Sequence, residues 1–435
     1  MILKSQARNP GVGTLFLLMG VLILHFIDRQ IVAILLPDIA SDLSLTDTQA
    51  GILTGIGFAL LYSVLGIPIA RLADKADRVR IMSVAAIVWS AMTAVTRLAS
   101  SFITLLAARM GVAIGEAGGI PPLHSLVADL YPDEQRARAF SVVQLGGPLG
   151  VLLAFFVFGA LAEVAEWRTL FYATGLLGVA FAFLFWRVAP EPRRERQSLH
   201  RQTGDDWRAA LRVLLSSRAY LHLVAGTALA GFALYALVTW MPSYLGRSFG
   251  TDRSEIGLVL GLLFGIGGAL GVLFFGWLAD RVQRARPGAH ALVPALMVFV
   301  AAPLIVLAFR SSSQGEALLL LAVPIVMVSG WQAPTIAAVQ KVAAPDTRAL
   351  AAALLMLMLN LVGLGLGPLA VGIISDVLAP RFGEQSLRYA LMIAAPALVW
   401  AGIHWLLAAR ELARLSGRSR SPVPEPSEIS GVRQP

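Results

Sequence analysis

Twelve apolar runs, each long enough to cross a bilayer as a helix, constrain this chain more than any other feature. They lie at about 12–36, 47–72, 79–98, 101–128, 137–162, 167–188, 218–246, 253–281, 289–309, 315–343, 347–377 and 386–410. Roughly 20 apolar residues in a helix span the ~30 Å hydrocarbon core. Lipid offers the backbone no hydrogen bonds, so a crossing segment must satisfy its own, as a helix does. Of the 435 residues, 57% are apolar and 14% charged, against about 25% charged in a soluble domain. The mean hydropathy of +0.74 agrees. The expected fold class is an all-α membrane protein. There is no cysteine, which excludes disulfides and thiolate metal sites. The first run is too long for the apolar core of a signal peptide and no small-residue cleavage site follows it, so we expect it to be retained.

One connection is long. The stretch 189–217, rich in Arg and Pro, separates runs six and seven. It predicts a six-helix bundle over 1–188, a cytoplasmic linker over 189–217, a second six-helix bundle over 218–410 and a disordered cytoplasmic tail over 411–435. With the N-terminus inside, twenty-six of the 35 Lys and Arg fall in inside segments and seven in outside loops. Arg29 and Arg109 remain in the membrane. Positive residues gather on the cytoplasmic side, so both termini are expected there. The net charge of +9 is therefore a topology signal and not a nucleic-acid footprint. In the linker, Thr203 and Asp206 have capping-box spacing, with Asp in place of Glu. Trp207, Leu211, Leu214 and Leu215 follow at i, i+4, i+7 and i+8, with Arg208 and Arg212 off that stripe. This predicts a short amphipathic helix on the interface, serving as a strap or as part of a gate.

The two halves echo each other. Ala70-Arg71-Leu72-Ala73-Asp74-Lys75 ends run two, and Gly276-Trp277-Leu278-Ala279-Asp280-Arg281 ends run eight. Gly147-Pro148-Leu149 lies in run five and Gly367-Pro368-Leu369 in run eleven. Tyr131-Pro132-Asp133 with Arg136 follows run four, and Ala344-Pro345-Asp346 with Arg348 follows run ten. The offsets, 206, 220 and 213 residues, keep the same order. This is the pattern of a parallel repeat about an axis along the membrane normal.

His25-Phe26-Ile27-Asp28-Arg29-Gln30 sits inside the first run. A charge deep in a membrane span costs about 2.5–3.5 kcal/mol on insertion scales, and the usual return is an ion or substrate path or an internal pair. Asp28, Arg29 and Glu116 fall near the midplane, with Arg109 about two turns further out. Arg109 and Glu116 are seven apart and share a helix face. His25 lies three and four residues before Asp28 and Arg29, within reach of either. Asp28 and Arg29 diverge by about 100° around the helix, so one can face a cavity while the other turns to a neighbouring helix. Asp28 and Glu116 are the candidate proton sites; the structural alternative is a set of fixed pairs locking run one to run four. Gly115 through Pro122 places three glycines and two prolines at the same depth, with His124 a turn later as a packing residue or relay.

The second half offers Trp331 and Gln332 between Pro324 and Pro334, Asn360 in run eleven, and Tyr235 and Trp240 in run seven. These are substrate-contact candidates, or, for the aromatics, packing and interface residues. A cavity charged on one wall and apolar on the other suits an amphipathic cargo. Asp74, Arg78, Asp280 and Arg281, at the ends of the duplicated motif, are candidates for a cytoplasmic gate, or simple positive-inside anchors. No Gly-x-x-x-x-Gly-Lys, His-Glu-x-x-His or Gly-x-Ser-x-Gly motif occurs, so neither ATP drive nor hydrolytic chemistry is expected, and no cofactor or metal.

The segment from Ala70 resembles the loop 2–3 signature of the major facilitator superfamily, Gly-x-Leu-Ala-Asp-Arg-x-Gly-Arg-Arg, with Ala70 for the first glycine and Asp77 for the turn glycine. Arg109 and Gly115 resemble its helix 4 signature, and Gly147-Pro148 part of its helix 5 signature. A closer likeness lies in Phe26-Ile27-Asp28-Arg29 with Leu36-Pro37-Asp38-Ile39; in Arg109 through Gly115-Glu116-Ala117; in Ala128-Asp129-Leu130-Tyr131 with Asp133, Gln135-Arg136 and Arg138; and in Glu166-Trp167-Arg168. Together these resemble the spinster branch over the first half, while the second half resembles a generic facilitator. The resemblance implies the major facilitator fold and a monomeric secondary transporter of lysophospholipid or sphingosine phosphate in a bacterial inner membrane. It also implies proton coupling at Asp28 and Glu116, with Arg29 and Arg109 in the cavity. His25 stands where the family often has asparagine. Organic-anion symporters of the same superfamily also carry Asp-Arg in helix 1 and Gly-Glu-Ala in helix 4, and give a second reading; a non-transporting receptor or scaffold is the third.

Overall fold

The computed structural model describes residues 12–73, 76–192, 207–345 and 347–418. The regular elements among them are all helical. Eleven stretches are long and apolar enough to cross a membrane. The last, Arg348–Leu415, is 68 residues long and holds two crossings. The chain turns between them at Gly383, whose φ of +55° a side chain would resist, and a short 3-10 turn, Gly383–Gln385, follows. The twelve runs thus become twelve crossings.

Helices 1 to 6 are Val12–Asp42, Asp47–Gly66, Arg78–Leu98, Phe102–Leu130, Glu134–Leu161 and Trp167–Val188, and helix 2 continues to Ala73. Helices 7 to 10 are Arg218–Phe249, Arg253–Ala285, Ala289–Arg310 and Gln314–Val342. Helix 11 passes from Arg348–Met358 through a π-turn, Leu359–Leu366, into Gly367–Phe382. Helix 12 is Ser386–Leu391 followed by Ala394–Arg418. Helix 1 outruns its apolar stretch. It continues through Pro37 to Asp42, which carries Asp38 and Asp42 to the end of the molecule opposite the linker, called here the far side. The expected linker helix is present as Trp207–Ser216, with Leu214 buried and Leu215 exposed. Thr203, Asp206 and the tail beyond 418 lie outside the described residues.

The two six-helix bundles meet along helices 1 and 7, 2 and 11, and 5 and 8. Between membrane helices there is little hydrophobic driving force, and close backbone approach supplies the contact. A Cβ added to Gly257 in helix 8 would stand 2.3 Å from the Phe155 carbonyl oxygen in helix 5. One on Gly55 in helix 2 would stand 2.5 Å from the Gly365 carbonyl oxygen in helix 11. Helix 8 carries a second π-turn, Gly261–Gly267, and both π-turns pack against the first bundle. Such turns are frequent where helices serve function.

Polar bonds close the seam at the far side. Arg247 grips Asp47 with two bonds, of 2.8 and 2.6 Å, and the Ser375 hydroxyl donates to the same carboxylate at 2.6 Å. Asp376 accepts the backbone N–H groups of Asp47 and Thr48 at 3.0 and 2.7 Å, at the N-terminus of helix 2, where the dipole favours an anion. Arg253 pairs with Asp38, and the Ser254 N–H donates to Glu163 at 3.2 Å.

Arg247→Ala is expected to weaken this closure by about 1.5 kcal/mol, the low end for charge-assisted bonds, because Arg247 is 31% exposed. Spin labels on Ser44→Cys and Asp252→Cys, in a chain with no other cysteine, should show the longer-distance population rise about tenfold relative to the closed one. An unchanged distance distribution would remove the latch role.

Candidate functional site

Helix 1 is pinned to helices 3 and 4 by ions. Its Asp28 carboxylate accepts from Arg109 Nη1 at 3.2 Å and from the Thr93 hydroxyl. Arg29 Nε donates to Glu116 Oε2 at 3.2 Å. His25 Nδ1 stands 3.3 Å from the same oxygen, within ion-pair distance though off the line of a hydrogen bond. Asp28 and Glu116 are 2% and 0% exposed. Charges this dry persist only when paired.

Local sequence explains the placement. Gly115 lets helix 4 touch helix 3, since a Cβ there would fall 2.5 Å from the Trp89 nitrogen. Helix 4 then breaks just after Glu116 and restarts as Ile120–Leu130 with proline in its first turn, where no N–H is needed. Helix 10 breaks at the matching depth, between Gln314–Ser329 and Gln332–Val342.

The arginines, and not the carboxylates, reach the space between the bundles. Arg29, Gln30, Thr54, Phe58, Arg109 and Tyr235 line a central cleft, with Val238 and Leu364 among its apolar wall. The cleft is narrow, about 30 Å³, room for one or two waters. The Arg29 guanidinium lies over Tyr62 and Phe58 at 4.6 and 5.0 Å from the ring centres, and Arg109 over Phe58 at 5.6 Å. Such contacts stabilise a desolvated cation. Arg29 Nη2, Arg109 Nε, Glu116 Oε1 and His25 Nε2 are buried with no hydrogen-bond partner among the described residues. They are the donors and acceptors this site holds in reserve.

The expected residues divide. Asp28, Arg29, Arg109, Glu116 and Tyr235 come together. His25 turns to Glu116, not to Asp28 or Arg29 on its own helix, with Tyr62 and Trp89 beside its ring. His124 packs edge-on to Phe140. Trp331 does not line the cleft: it is 1% exposed in the core of the second bundle, 5.9 Å from Trp405. Gln332 and Asn360 are half-buried, Asn360 in the π-turn of helix 11, and neither is among the cleft-lining residues above.

The gate assignments also change. Arg78 does not reach across the seam. It is fully buried and bonds to Glu191, at the start of the linker, at 2.8 Å, and within the first bundle to Asp129 at 2.5 Å and the Ser125 carbonyl at 3.0 Å. Glu191 also accepts the backbone N–H groups of Arg78 and Val79, so one carboxylate caps helix 3 and holds the guanidinium inward. Asp280 pairs with His290 of helix 9 at 2.7 Å, again within one bundle. Arg281 lies exposed over Trp277, 5.7 Å from its ring. Asp74 lies outside the described residues.

Phe58, Tyr62 and Thr93 are site residues that sequence reasoning missed. Phe58 and Tyr62 are one helical turn apart, a visible pair, but nothing in the chain says which helix they face.

The fold and this paired charge cluster define a membrane transporter of two six-helix bundles. The Major Facilitator Superfamily model matches residues 18–364 and 244–433, and the chain belongs to that superfamily. It is 35% identical over 396 residues to an MFS-type efflux pump of Mycolicibacterium smegmatis, covering 89% of this chain and 90% of that protein. It is 28% identical to two Xenopus tropicalis proteins. Protein spinster homolog 1 matches over 91% of this chain and 80% of its own length, and sphingosine-1-phosphate transporter SPNS2 over 89% and 79%. A bacterial homolog of the human lysosomal transporter spinster, solved inward-facing and unoccupied, superposes with a TM-score of 0.84 at 28% identity, over 92% of this chain and 97% of the other. Within its superfamily this chain is spinster-like.

Arg109→Met strands the Asp28 carboxylate and is expected to destabilise the protein by about 3–5 kcal/mol. Adding Asp28→Asn should recover much of that loss. Thermal melting of the two single variants and the double variant in detergent measures it, and losses that simply add would rule out the coupling.

Proposed function

We propose that the protein is a proton-coupled secondary transporter of an amphipathic lipid, of lysophospholipid or sphingosine-phosphate type, working by alternating access of its two bundles. One observation carries the reading. Arg29 and Arg109 present cations to the central cleft while their carboxylate partners, Glu116 and Asp28, stay buried behind them. An anionic head group that draws Arg29 away leaves Glu116 without its cation in a dry site, and taking up a proton restores neutrality. Head-group binding and proton uptake then favour each other. Val238 and Leu364 give the apolar body of the cargo a wall. The narrow cleft is the apex of the path, and it widens as the bundles rock.

The positive-inside pattern supports cytoplasmic termini. On that orientation, the latch at Asp47, Arg247 and Asp376 closes the outer side. The names of the relatives, a sphingosine-1-phosphate transporter and an efflux pump, support lipid cargo and export.

The narrowness of the cleft favours a second reading, a proton-coupled organic-anion symporter with Arg29 and Arg109 on a carboxylate. A lysolipid that raises the melting temperature of the purified protein where small organic anions do not would decide for lipid, and the reverse for the symporter. Flux in proteoliposomes separates both from a receptor.

Glu116→Gln should keep lipid binding and lose the acceleration of lipid flux by a proton gradient, with Asp28→Asn reducing it. Flux in proteoliposomes with and without the gradient reads this directly. Full gradient dependence in both variants would end the coupling proposal.

A further inference from the structure

The linker side of the second bundle holds a larger cavity, about 250 Å³ where the central cleft has about 30 Å³. It is lined by Gln283 near the end of helix 8, Gly288 at the turn, His290 at the start of helix 9, Lys341 near the end of helix 10, and Leu412 and Leu415 near the end of helix 12. All of these belong to one bundle, so the cavity is separate from the path between bundles.

One wall is cationic, and its geometry is built. The Lys341 ammonium donates to His290 Nδ1 at 3.0 Å, and His290 Nε2 meets Asp280 at 2.7 Å. An ammonium can only donate, so Nδ1 accepts and the ring carries its proton on Nε2, toward Asp280. His290 therefore stands between the ammonium and Asp280, and it is 5% exposed, which fixes its position. The Asp280 side chain is 70% exposed at the other end of the relay, where water screens its charge. Lys341 is exposed as well, so water screens both ends of the relay, and the ammonium, with one of its three donors on His290, has donors left for an anion in the cavity. The Gln283 side-chain oxygen accepts the His290 backbone N–H at 3.2 Å and holds the turn in place. Arg284 and Arg286, just after Gln283 in the chain, are exposed and add positive charge to the segment between helices 8 and 9. The opposite wall is greasy, with Leu415 51% exposed.

We propose that this cavity binds the phosphate group of an anionic membrane phospholipid, with an acyl chain lying along Leu412 and Leu415. A cationic wall and an apolar wall meet where four membrane helices end, at the depth of lipid head groups, and basic pockets of this kind between helices take such head groups. The lipid is a fixed ligand of the second bundle and not cargo, because no lining residue belongs to the first. Asp280 and His290 are positioning residues: they hold the ammonium that touches the phosphate.

The full chain, purified in detergent and titrated with phosphatidylglycerol, phosphatidylcholine, glycerol phosphate or inorganic phosphate, tests this by thermal melting and by native mass spectrometry of retained lipid. Phosphatidylglycerol should raise the melting temperature more than phosphatidylcholine does. Lys341→Gln should bind it about tenfold more weakly, the effect of one lost charged hydrogen bond. Arg187→Gln, the same charge change outside the cavity, should bind like the parent. Asp280→Asn should fall between. Equal binding in Lys341→Gln and the parent would overturn the proposal, as would equal shifts with both lipids. A full shift with inorganic or glycerol phosphate alone would overturn the lipid assignment in favour of a soluble anion. Should Lys341→Gln fail to fold, a photoreactive phosphatidylglycerol decides on the unaltered protein: labelling within 338–342 and 409–415 supports the site, and labelling elsewhere only refutes it.

Discussion

A charge inside hydrocarbon has to be met by another charge, and the first bundle is arranged around that demand. Asp28 and Arg29 are neighbours on helix 1, yet they point to different partners, Arg109 and Glu116, both on helix 4. Two crossed pairs fix the rotation of one helix against the other more firmly than apolar packing does, since sliding or turning either helix breaks both. Gly115 against Trp89, the break after Glu116 and the stacking of Phe58 and Tyr62 on the guanidinium groups are the local adjustments that let this pairing close.

The same ions serve two surfaces. The carboxylates stay inside the first bundle, Asp28 against helices 3 and 4 and Glu116 against helix 1, while the guanidinium groups open onto the space between bundles. A site made this way is stable only while its pairs are intact, and a competing anion is the natural means of disturbing them. The second bundle contributes no charged residue to the lining of the cleft; its polar side chains there are Tyr235 and Thr239. Polar bonds described between the bundles lie at the far side, through Asp38, Asp47 and Asp376. On the linker side, Arg78 and Asp280 are turned back into their own bundles. Among the described residues, linker-side charges such as Arg78 and Asp280 clasp their own bundles, while far-side charges join the two.

Much of this was legible in the chain. The number of crossings, the amphipathic helix from Trp207 and the shared level of Arg29 and Glu116 on helices 1 and 4 follow from hydropathy and spacing. Each of these is a property of one helix read along its own axis. The failures share a cause. Trp331 lies beside a helix break at the right depth but faces Trp405, and rotation about a helix axis is invisible when residues on every face are apolar. Arg78 stands in a duplicated motif that suggests a seam, but Glu191, at the start of the linker, lies over the N-terminus of helix 3 and captures it. Thr93 carries no pattern of its own; it matters because helix 3 passes Asp28.

By itself, then, the order of residues determined how many times the chain crosses the membrane and how far along its helix each residue lies, because apolar length and axial rise set both. Only the tertiary structure decided which acid meets which base, that cations and not carboxylates line the central cleft, and which end of the seam is bonded. Those outcomes depend on helix rotation and on neighbours far apart in the chain. Within a membrane, where one apolar face packs about as well as another, a few buried charges and close-packed glycines choose among the possible arrangements.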